Sequence, residues 1–501
     1  MLAKRVVPCL IFIWILSLFF CTPESGSLEF RVRFTQDVSM EPISGRVFVM
    51  LDDDPKSNPM FSEKIIFAVD VENWIPGDEV ILDKKAMDFP YRMDQLPESE
   101  YSVRALVDRN NLDWGLPDAP GNAYSSKAVM DIAKEPVRLT IDNLVTQKPF
   151  EETEIHKEVR ITSKFLSDFY GRPIEIEAAV ILPSSYQKNT DRFYPVVYTF
   201  PGFGGLHDHI AMGEWNQNRY GMNKLGMDKI FVFLSHDCPL GYHCFADSEN
   251  NGPRGQALVE EFLPYIEKHF RVIPEANGRL LTGQSSGAWA SLWLQVTYPD
   301  SFGGAWPVSP DPVDFRHFLG VNLYDPAENA FFEKDGTLRP LIVKGSDTVY
   351  TWKDISDKEL ITGPGGWMNT FEGVFSPKGK DDNPVYMWGR ETGEIDREVV
   401  EFWKRYDIRL VLEKNWQTLG PKLKEKLYIY VADDDDARLD DPIRLFQKSM
   451  EELGSDAFIR ILDSGGHGDG VWKQVIQEIH EQMDARLLKS YPELEKFANK
   501  K

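Results

Sequence analysis

Alternation of apolar and polar residues dominates the first third of the chain. Strand-like runs with period-two spacing occur at residues 28–34, 46–51, 65–69 and 101–107. Turns rich in Pro, Asp, Asn and Gly separate these runs, without a long stretch of helical periodicity between them. The pattern predicts a small immunoglobulin-like β-sandwich over residues 26–148. We expect this domain to serve in packing or as a spacer. The alternatives are that it binds a glycan or that it rests on the mouth of the active site.

The pattern changes after residue 148. The predicted strands that follow are residues 159–163, 174–182, 195–200 and 230–234. The first two alternate like a paired antiparallel edge, whereas the last two are fully apolar, as is typical of strands buried in a parallel sheet. Residues 208–223 have room for a helix, and apolar residues recur at helical spacing in residues 255–270. This order predicts a doubly wound α/β sheet in a catalytic domain over residues 149–501.

The next strand-to-helix turn carries the pattern G-x-S-x-G. An apolar strand at residues 279–282 precedes the turn, and helical spacing at residues 288–296 follows it. The turn itself contains Gly283, Ser285 and Gly287. Alone, these residues also fit an ordinary Gly/Ser turn, but the βαβ context favours a nucleophile elbow, in which a strained backbone exposes the serine hydroxyl.

A glycine-rich loop, residues 201–205, follows the strand at residues 195–200. Acyl transfer needs two backbone N–H groups directed at the carbonyl oxygen as it becomes negative. On a nucleophile elbow one of them belongs to the residue after the nucleophile, here Ser286, and the other to this loop. We predict the amide of Phe203 as the second donor, with Gly204 as the alternative. A plain glycine turn is the competing interpretation.

Four consecutive aspartates, residues 433–436, follow a predicted strand at residues 427–431. A serine nucleophile requires a base and an acid that orients the base, and the acid is expected first along the chain. The spacing past the strand favours Asp435, with Asp433 and Asp436 as alternatives. The remaining aspartates fit a solvated acidic loop or a cation site.

The base is predicted at His467. It stands among glycines directly after the last predicted strand, residues 458–462, and before a helix from about residue 470. A lone histidine is more often structural, but this one comes where the base is required. The competing histidines precede the sheet, precede the acid or lie in the closing helix: His156, His207, His209, His236, His243, His317 and His480.

Lys4 and Arg5 precede an apolar run from residue 6 to residue 21. The run is too short to cross a bilayer comfortably and predicts a cleaved signal peptide over residues 1–25. We therefore expect an exported protein, periplasmic or secreted. Lipid anchoring through Cys21 is the alternative, although large residues stand before this cysteine where small ones are expected.

Cys238 and Cys244 are six positions apart around a turn. In an oxidising compartment this spacing permits a disulfide, and two unpaired buried thiols fit equally well. Metal sites built from these cysteines with His236 and His243, or from residues 207–209, lack a usual ligand spacing. We predict no metal.

The chain has 501 residues, of which 42% are hydrophobic and 12% aromatic. This composition is that of a large globular protein with two or three domains. The formal net charge of -23 at pH 7 disfavours binding to nucleic acid or to an anionic membrane, because either would repel the protein.

Several of these motifs together resemble a known family. The residues that carry the resemblance are 245–248, 263–267, 283–287, 298–300, 309–310, Asp435 and His467. Over most of residues 155–490 they resemble the putative-esterase family of α/β-hydrolases, which includes enterochelin esterases, feruloyl and acetylxylan esterases and S-formylglutathione hydrolases. The resemblance implies serine ester hydrolysis through an acyl-enzyme, without a metal or an organic cofactor. One departure is Ala288, where many relatives have a second glycine.

An insertion at about residues 311–425 is much longer than a usual α/β connection and is rich in Trp, Tyr, Phe, Gly and Pro. We predict a cap that carries part of the substrate pocket. The alternative is a cap that only shields the sheet, with its aromatic residues in the core.

The combined prediction is a secreted serine ester hydrolase. His467, oriented by Asp435, would take the Ser285 proton, and the amides of Ser286 and Phe203 would hold the oxyanion. The substrate would be an acylated carbohydrate or a siderophore-type ester. A serine peptidase and an acyltransferase on the same fold are the enzymatic alternatives, and an inactive glycan-binding module is the non-enzymatic one.

Overall fold

The computed structural model describes residues 28–109, 119–131, 136–146, 149–208, 214–222 and 224–497. The predicted signal peptide, Cys21 and His209 lie outside the described residues. Within the described ranges, every helix is too short or too polar to cross a lipid bilayer.

The N-terminal part forms a nine-stranded sheet in the order β4-β1-β9-β7-β6-β2-β3-β5, with β8 paired to β6. Its strands are β1 Phe30–Phe34, β2 Ile43–Asp52, β3 Ile65–Trp74, β4 Val80–Leu82, β5 Met87–Phe89, β6 Glu100–Asp108, β7 Ala123–Ser125, β8 Ala128–Asp131 and β9 Val137–Leu144. A parallel pairing of β1 with β9 links the first and last strands into the same sheet. The predicted division into two facing sheets of a sandwich is therefore not confirmed.

Both faces of this N-terminal sheet are apolar along β2 and β6. One face contributes Val47 and Val49 to the sheet's own core, as the period-two pattern predicts. The opposite face contributes Phe48 and Met50 to a second cluster, which also contains Ile361 from much later in the chain. A sheet with one solvated face would have polar residues there, so the second apolar face reflects packing against the rest of the protein.

The central sheet has eight strands in the order β10-β11-β13-β12-β18-β19-β22-β23. They are β10 His156–Ser163, β11 Ile174–Ile181, β12 Val196–Phe200, β13 Ile230–Leu234, β18 Arg279–Ser285, β19 Gly304–Pro310, β22 Tyr428–Ala432 and β23 Phe458–Leu462. The pairs β10–β11 and β11–β13 are antiparallel. All later neighbours are parallel. Four short strands form two small ladders after β13: β14 Asp237–Cys238, β15 Gly241–Tyr242, β16 Asp247–Ser248 and β17 Gly252–Pro253.

Helices cover both faces of the central sheet, and α1 packs on the N-terminal sheet. Their bounds are α1 Pro59–Ser62, α2 Lys164–Tyr170, α3 Glu214–Arg219, α4 Arg254–Ala257, α5 Leu263–His269, α6 Ser286–Thr297, α7 Trp352–Thr362, α8 Trp367–Phe375, α9 Arg397–Trp403, α10 Ile408–Leu423, α11 Asp440–Glu452 and α12 Asp469–Ser490. Neighbouring β12 residues point to opposite sides, because Val196 joins the cluster that contains α6 and Val197 joins the cluster that contains α12. The predicted α/β-hydrolase fold with a mostly parallel, doubly wound sheet is confirmed.

The segment between β19 and β22 contains the hairpin β20 Pro340–Lys344 and β21 Asp347–Thr351 and the helices α7 to α10. Its aromatic residues are mostly interior. Trp352, Trp388 and Trp403 are at most 1% exposed and pack in the same cluster as α6. These tryptophans therefore form core between the segment and the sheet, and the predicted contribution of the segment to a substrate pocket stays a prediction.

Candidate active site

The nucleophile-elbow motif lies where β18 meets α6. Ser285 is the last residue of β18 and has a φ of 56°, a left-handed value that is strained for a serine. A Cβ on Gly283 would lie 2.4 Å from the Gly287 carbonyl oxygen, and a Cβ on Gly287 would lie 2.2 Å from the Phe200 carbonyl oxygen. Only glycine fits at these two positions, and this explains the spacing of the motif.

Ser285 stands in a chain of hydrogen bonds with a histidine and an aspartate. His467 Nε2 is 3.0 Å from Ser285 Oγ, and His467 Nδ1 is 2.9 Å from Asp435 Oδ2. The Asp435 side chain is fully buried, and its Oδ1 accepts the Ala437 amide at 3.0 Å. The His467 side chain is 26% exposed, so a substrate can reach it from solvent.

Burial lowers the pKa of His467, but the charge and hydrogen bond of Asp435 outweigh it, and the pKa lies above its ordinary value. Asp311 and Asp436 add to the same rise. A histidine held in this way favours the imidazolium that forms when it takes a proton from serine.

The other aspartates of the run at residues 433–436 have different contacts. Asp433 pairs with Arg444 at the surface. Asp434 Oδ1 accepts the Gly466 amide at 2.8 Å and so holds the backbone directly before His467. Among the three aspartates considered for the acid, Asp435 is the one hydrogen-bonded to the imidazole.

Asp311 is a site residue that sequence reasoning missed. It follows β19, its side chain is buried, and its Oδ1 accepts a hydrogen bond from Ser285 Oγ at 3.3 Å. Burial raises the pKa of Asp311 to about 6, against the lowering effects of the Ser286 hydroxyl and of His467. The sequence gives one indication of this role: Asp311 directly follows β19, the strand that pairs with β18. The carboxyl ends of neighbouring parallel strands meet at the same edge of a sheet, so Asp311 comes close to Ser285.

Asp311→Asn should move the acidic limb of the kcat/KM profile to lower pH. The base must be neutral to accept a proton, and removal of a nearby negative charge lowers the pKa of His467. The measurement is ester hydrolysis between about pH 4 and 9, the range that covers ordinary histidine titration. Asp433→Asn is the matched control, since Asp433 pairs with Arg444 instead. An acidic limb that is unchanged in Asp311→Asn, or shifted equally in both variants, would contradict the assignment.

The predicted oxyanion loop lies against the elbow. A Cβ on Gly202 would be 3.3 Å from Ser285 Cβ, which shows how closely the loop backbone approaches the serine. Phe203 follows with a half-buried ring 4.9 Å from the ring of Tyr242. Ser286 begins α6 directly after the nucleophile position. The choice of Phe203 over Gly204 as the second donor stays a prediction.

The described competing histidines have other surroundings. His207 bonds Ser235 Oγ at 2.7 Å, His480 bonds the Tyr220 carbonyl oxygen at 2.9 Å, and His156 contacts Gln217. Burial lowers the pKa of His236 to about 3, and burial also lowers the pKa of His243 well below its ordinary value. Such histidines stay neutral and serve as core residues.

Cys238 and Cys244 are both free and buried, so the unpaired alternative describes them. Cys238 Sγ donates to Asn251 Oδ1 at 3.4 Å, and burial raises the pKa of this thiol to about 12. Across the described ranges, no three His, Cys, Asp or Glu side chains come together as a potential metal site.

Comparison with known proteins gives one family match. The family described as "Putative esterase" matches residues 172–448. The matched range includes Ser285, Asp311 and Asp435 and ends before His467.

Individual relatives are more distant. Esterase Rv1288 of Mycobacterium tuberculosis (strain ATCC 25618 / H37Rv) is 28% identical over 148 residues, 29% of this chain, and the match spans 31% of that protein's length. A solved ferulic acid esterase aligns with 66% of this chain and 98% of its own, at 17% identity and a TM-score of 0.43. An S-formylglutathione hydrolase from Agrobacterium tumefaciens aligns with 67% of this chain and 98% of its own, at 14% identity and a TM-score of 0.41.

Proposed function

Because this chain belongs to the Putative esterase family, we propose that it is a serine carboxylic-ester hydrolase with Ser285 as nucleophile, His467 as base and Asp435 as orienting acid. The observation that carries the proposal is the unbroken hydrogen-bond chain from Ser285 Oγ through both nitrogens of His467 to Asp435. The strained, glycine-flanked backbone of Ser285 supports it independently.

The proposed reaction begins with proton transfer from Ser285 Oγ to His467 Nε2 as the oxygen attacks the ester carbonyl carbon. The carbonyl oxygen becomes negative and accepts hydrogen bonds from the amides of Ser286 and Phe203. The C–O bond to the alcohol then breaks, and His467 returns the proton to the departing oxygen. A water molecule, deprotonated by the same imidazole, attacks the acyl-enzyme and releases the acid.

Asp435 acts through His467. Its buried carboxylate fixes the tautomer with a proton on Nδ1, so that Nε2 faces the serine as an acceptor. It also stabilises the imidazolium after proton transfer. Asp434 has a supporting role, because it holds the Gly466 amide and thereby the loop that presents His467.

The test of this function measures the hydrolysis of an ester and of a matched amide by the full-length protein. We expect turnover of p-nitrophenyl acetate and a kcat/KM for a matched acetyl p-nitroanilide that is lower by a factor of about 10³ or more, since a peptidase must also protonate a poor amine leaving group. Equal hydrolysis of both would favour the peptidase alternative. Transfer of the acetyl group to added alcohols in preference to water would favour the acyltransferase.

Export and an acylated carbohydrate or siderophore-type substrate remain part of the proposal. The apolar run at residues 6–21 supports the first. The second rests on the family resemblance alone.

A further inference from the structure

A cavity of about 220 Å³ lies between the N-terminal sheet and the helices α7 and α8. Its apolar lining residues are Phe48, Met50, Leu106, Phe203, Ile355 and Trp367. Three of them come from the N-terminal sheet, two from the segment after β21, and Phe203 comes from the predicted oxyanion loop. The cavity therefore joins three parts of the chain that are far apart in sequence.

The sheet wall of the cavity is apolar in its middle and ends at Asp108 of β6. Phe48 and Met50 are alternate residues of β2, and Leu106 of β6 stands opposite Phe48. All three are at most 3% exposed. Elsewhere on this face Met60, Ile66 and Ile361 pack together, so the cavity is the part of the contact that side chains leave unfilled.

Directed polar contacts hold the two walls together. Arg46 donates from Nη1 to the Ile361 carbonyl oxygen at 2.7 Å, and Lys358 pairs with Glu63 at 2.5 Å. Within the helical wall, Glu359 of α7 accepts hydrogen bonds from the amides of Met368 and Asn369 of α8 at 2.7 and 2.8 Å. The charged lining residues Glu63, Lys358 and Glu359 thus already have partners. A fourth, Asp108, lines the cavity at the end of β6, and the rest of the lining is predominantly apolar.

The cavity and the serine are linked through one stretch of backbone. Phe203 lines it, while the preceding residue, Gly202, lies against Ser285. The described lining residues come from the N-terminal sheet and its α1 turn, from the Phe203 loop, and from α7, α8 and their connection. His467 approaches the serine from the loop after β23. Because His467 protonates the departing alcohol, the alcohol occupies the His467 side and the acyl substituent occupies the other side.

We propose that this cavity is the acyl-binding subsite and that it takes a straight apolar acyl group. The inference rests on the proposed ester hydrolysis. An apolar cavity of about 150 Å³ accommodates benzene, so this larger one suits a chain of about eight carbons. The N-terminal sheet then forms part of the substrate site, a role beyond packing or spacing.

The test measures acyl-chain preference in variants of the full chain. Leu106→Trp fills the cavity and should lower kcat/KM for p-nitrophenyl octanoate by about tenfold or more, with less than about a twofold change for the acetate, since each buried methylene contributes to binding. Val129→Trp adds the same side chain at an exposed position of β8 and should change neither value. Phe48→Ala enlarges the cavity and should move the preference towards longer acyl chains, which keeps the proposal testable if Leu106→Trp does not fold.

Two results would overturn the subsite while leaving ester hydrolysis intact. One is an octanoate-to-acetate ratio that is the same in wild type, Leu106→Trp and Phe48→Ala. The other concerns the binding of hexanamide, measured by calorimetry, to Ser285→Ala and to the double variant Ser285→Ala/Leu106→Trp. We expect the double variant to bind hexanamide at least about tenfold more weakly, and equal binding would overturn the subsite. Failure of the proposed function would differ, because wild type would hydrolyse no ester of the series.

Discussion

Ser285→Ala is expected to lower kcat for p-nitrophenyl acetate by a factor of about 10⁴ to 10⁶, as loss of a nucleophile that acts jointly with its base does in serine hydrolases. The hydroxyl lies 3.0 Å from His467 Nε2, so the substitution removes the group that this imidazole would deprotonate. The half-buried position accepts alanine in volume, so the variant should fold. Steady-state kinetics together with thermal unfolding measure the two effects separately.

Ser291→Ala is the matched control for this prediction. Ser291 is a buried serine of α6 whose hydroxyl donates to the Ala288 carbonyl oxygen at 2.8 Å, one helical turn beyond the elbow. Its loss should cost about 1 kcal/mol of stability at most and leave kcat within about twofold of wild type. Activity retained in Ser285→Ala, or lost equally in both variants, would contradict the nucleophile assignment.

Asp435→Asn is expected to lower kcat by a factor of about 10³ to 10⁴, because the amide cannot hold the imidazole in the required tautomer. The carboxylate is fully buried and bonds both His467 Nδ1 and the Ala437 amide. The pH profile should change as well, since loss of the charge that raises the pKa of His467 moves the acidic limb to lower pH.

Asp433→Asn separates this effect from a general change in the acidic run. Asp433 pairs with Arg444, so its neutralisation should change kcat by less than about twofold, as expected for an exposed ion pair. A large loss in Asp433→Asn with little change in Asp435→Asn would move the role of the acid to the other aspartate.

Local sequence pattern was enough to predict the elements around the elbow. A Cβ at position 283 would meet the Gly287 carbonyl group within the strand–turn–helix unit itself, and a Cβ at position 287 would meet the Phe200 and Pro201 carbonyl oxygens at the end of β12. The glycine spacing that both contacts require is visible in five consecutive residues. The largely apolar runs of β12 and β13, in which every residue is buried, likewise reflect burial on both faces of one sheet. The α/β-hydrolase fold follows from these local features, and the structure confirms it.

Features that depend on distant packing could not be predicted in this way. Asp311 approaches Ser285 only because β19 pairs with β18, and an Asp after a Ser-Pro pair has no local signature. The N-terminal strands have the alternation of apolar and polar residues that is typical of a β-sandwich, whereas the β1–β9 pairing links the first and last strands in one sheet. The apolar second face at Phe48 and Met50 is explained only by its contact with a segment some 300 residues later.

The candidate site could be predicted from the sequence in part. Ser285 and His467 follow from the order of strands and turns, whereas the selection of Asp435 from four neighbours depended on spacing alone. The structure brings these three side chains together, and their catalytic roles stay predictions.

The central claim is that His467 activates Ser285 as a nucleophile. Its most direct test is mass-spectrometric mapping of the wild-type chain after reaction with a fluorophosphonate, with His467→Ala treated in parallel. We expect a single adduct on Ser285, formed more slowly by a factor of about 10³ or more in His467→Ala, because the alcohol then lacks its base. An adduct on another residue, or equal labelling of Ser285 with and without the imidazole, would contradict the account.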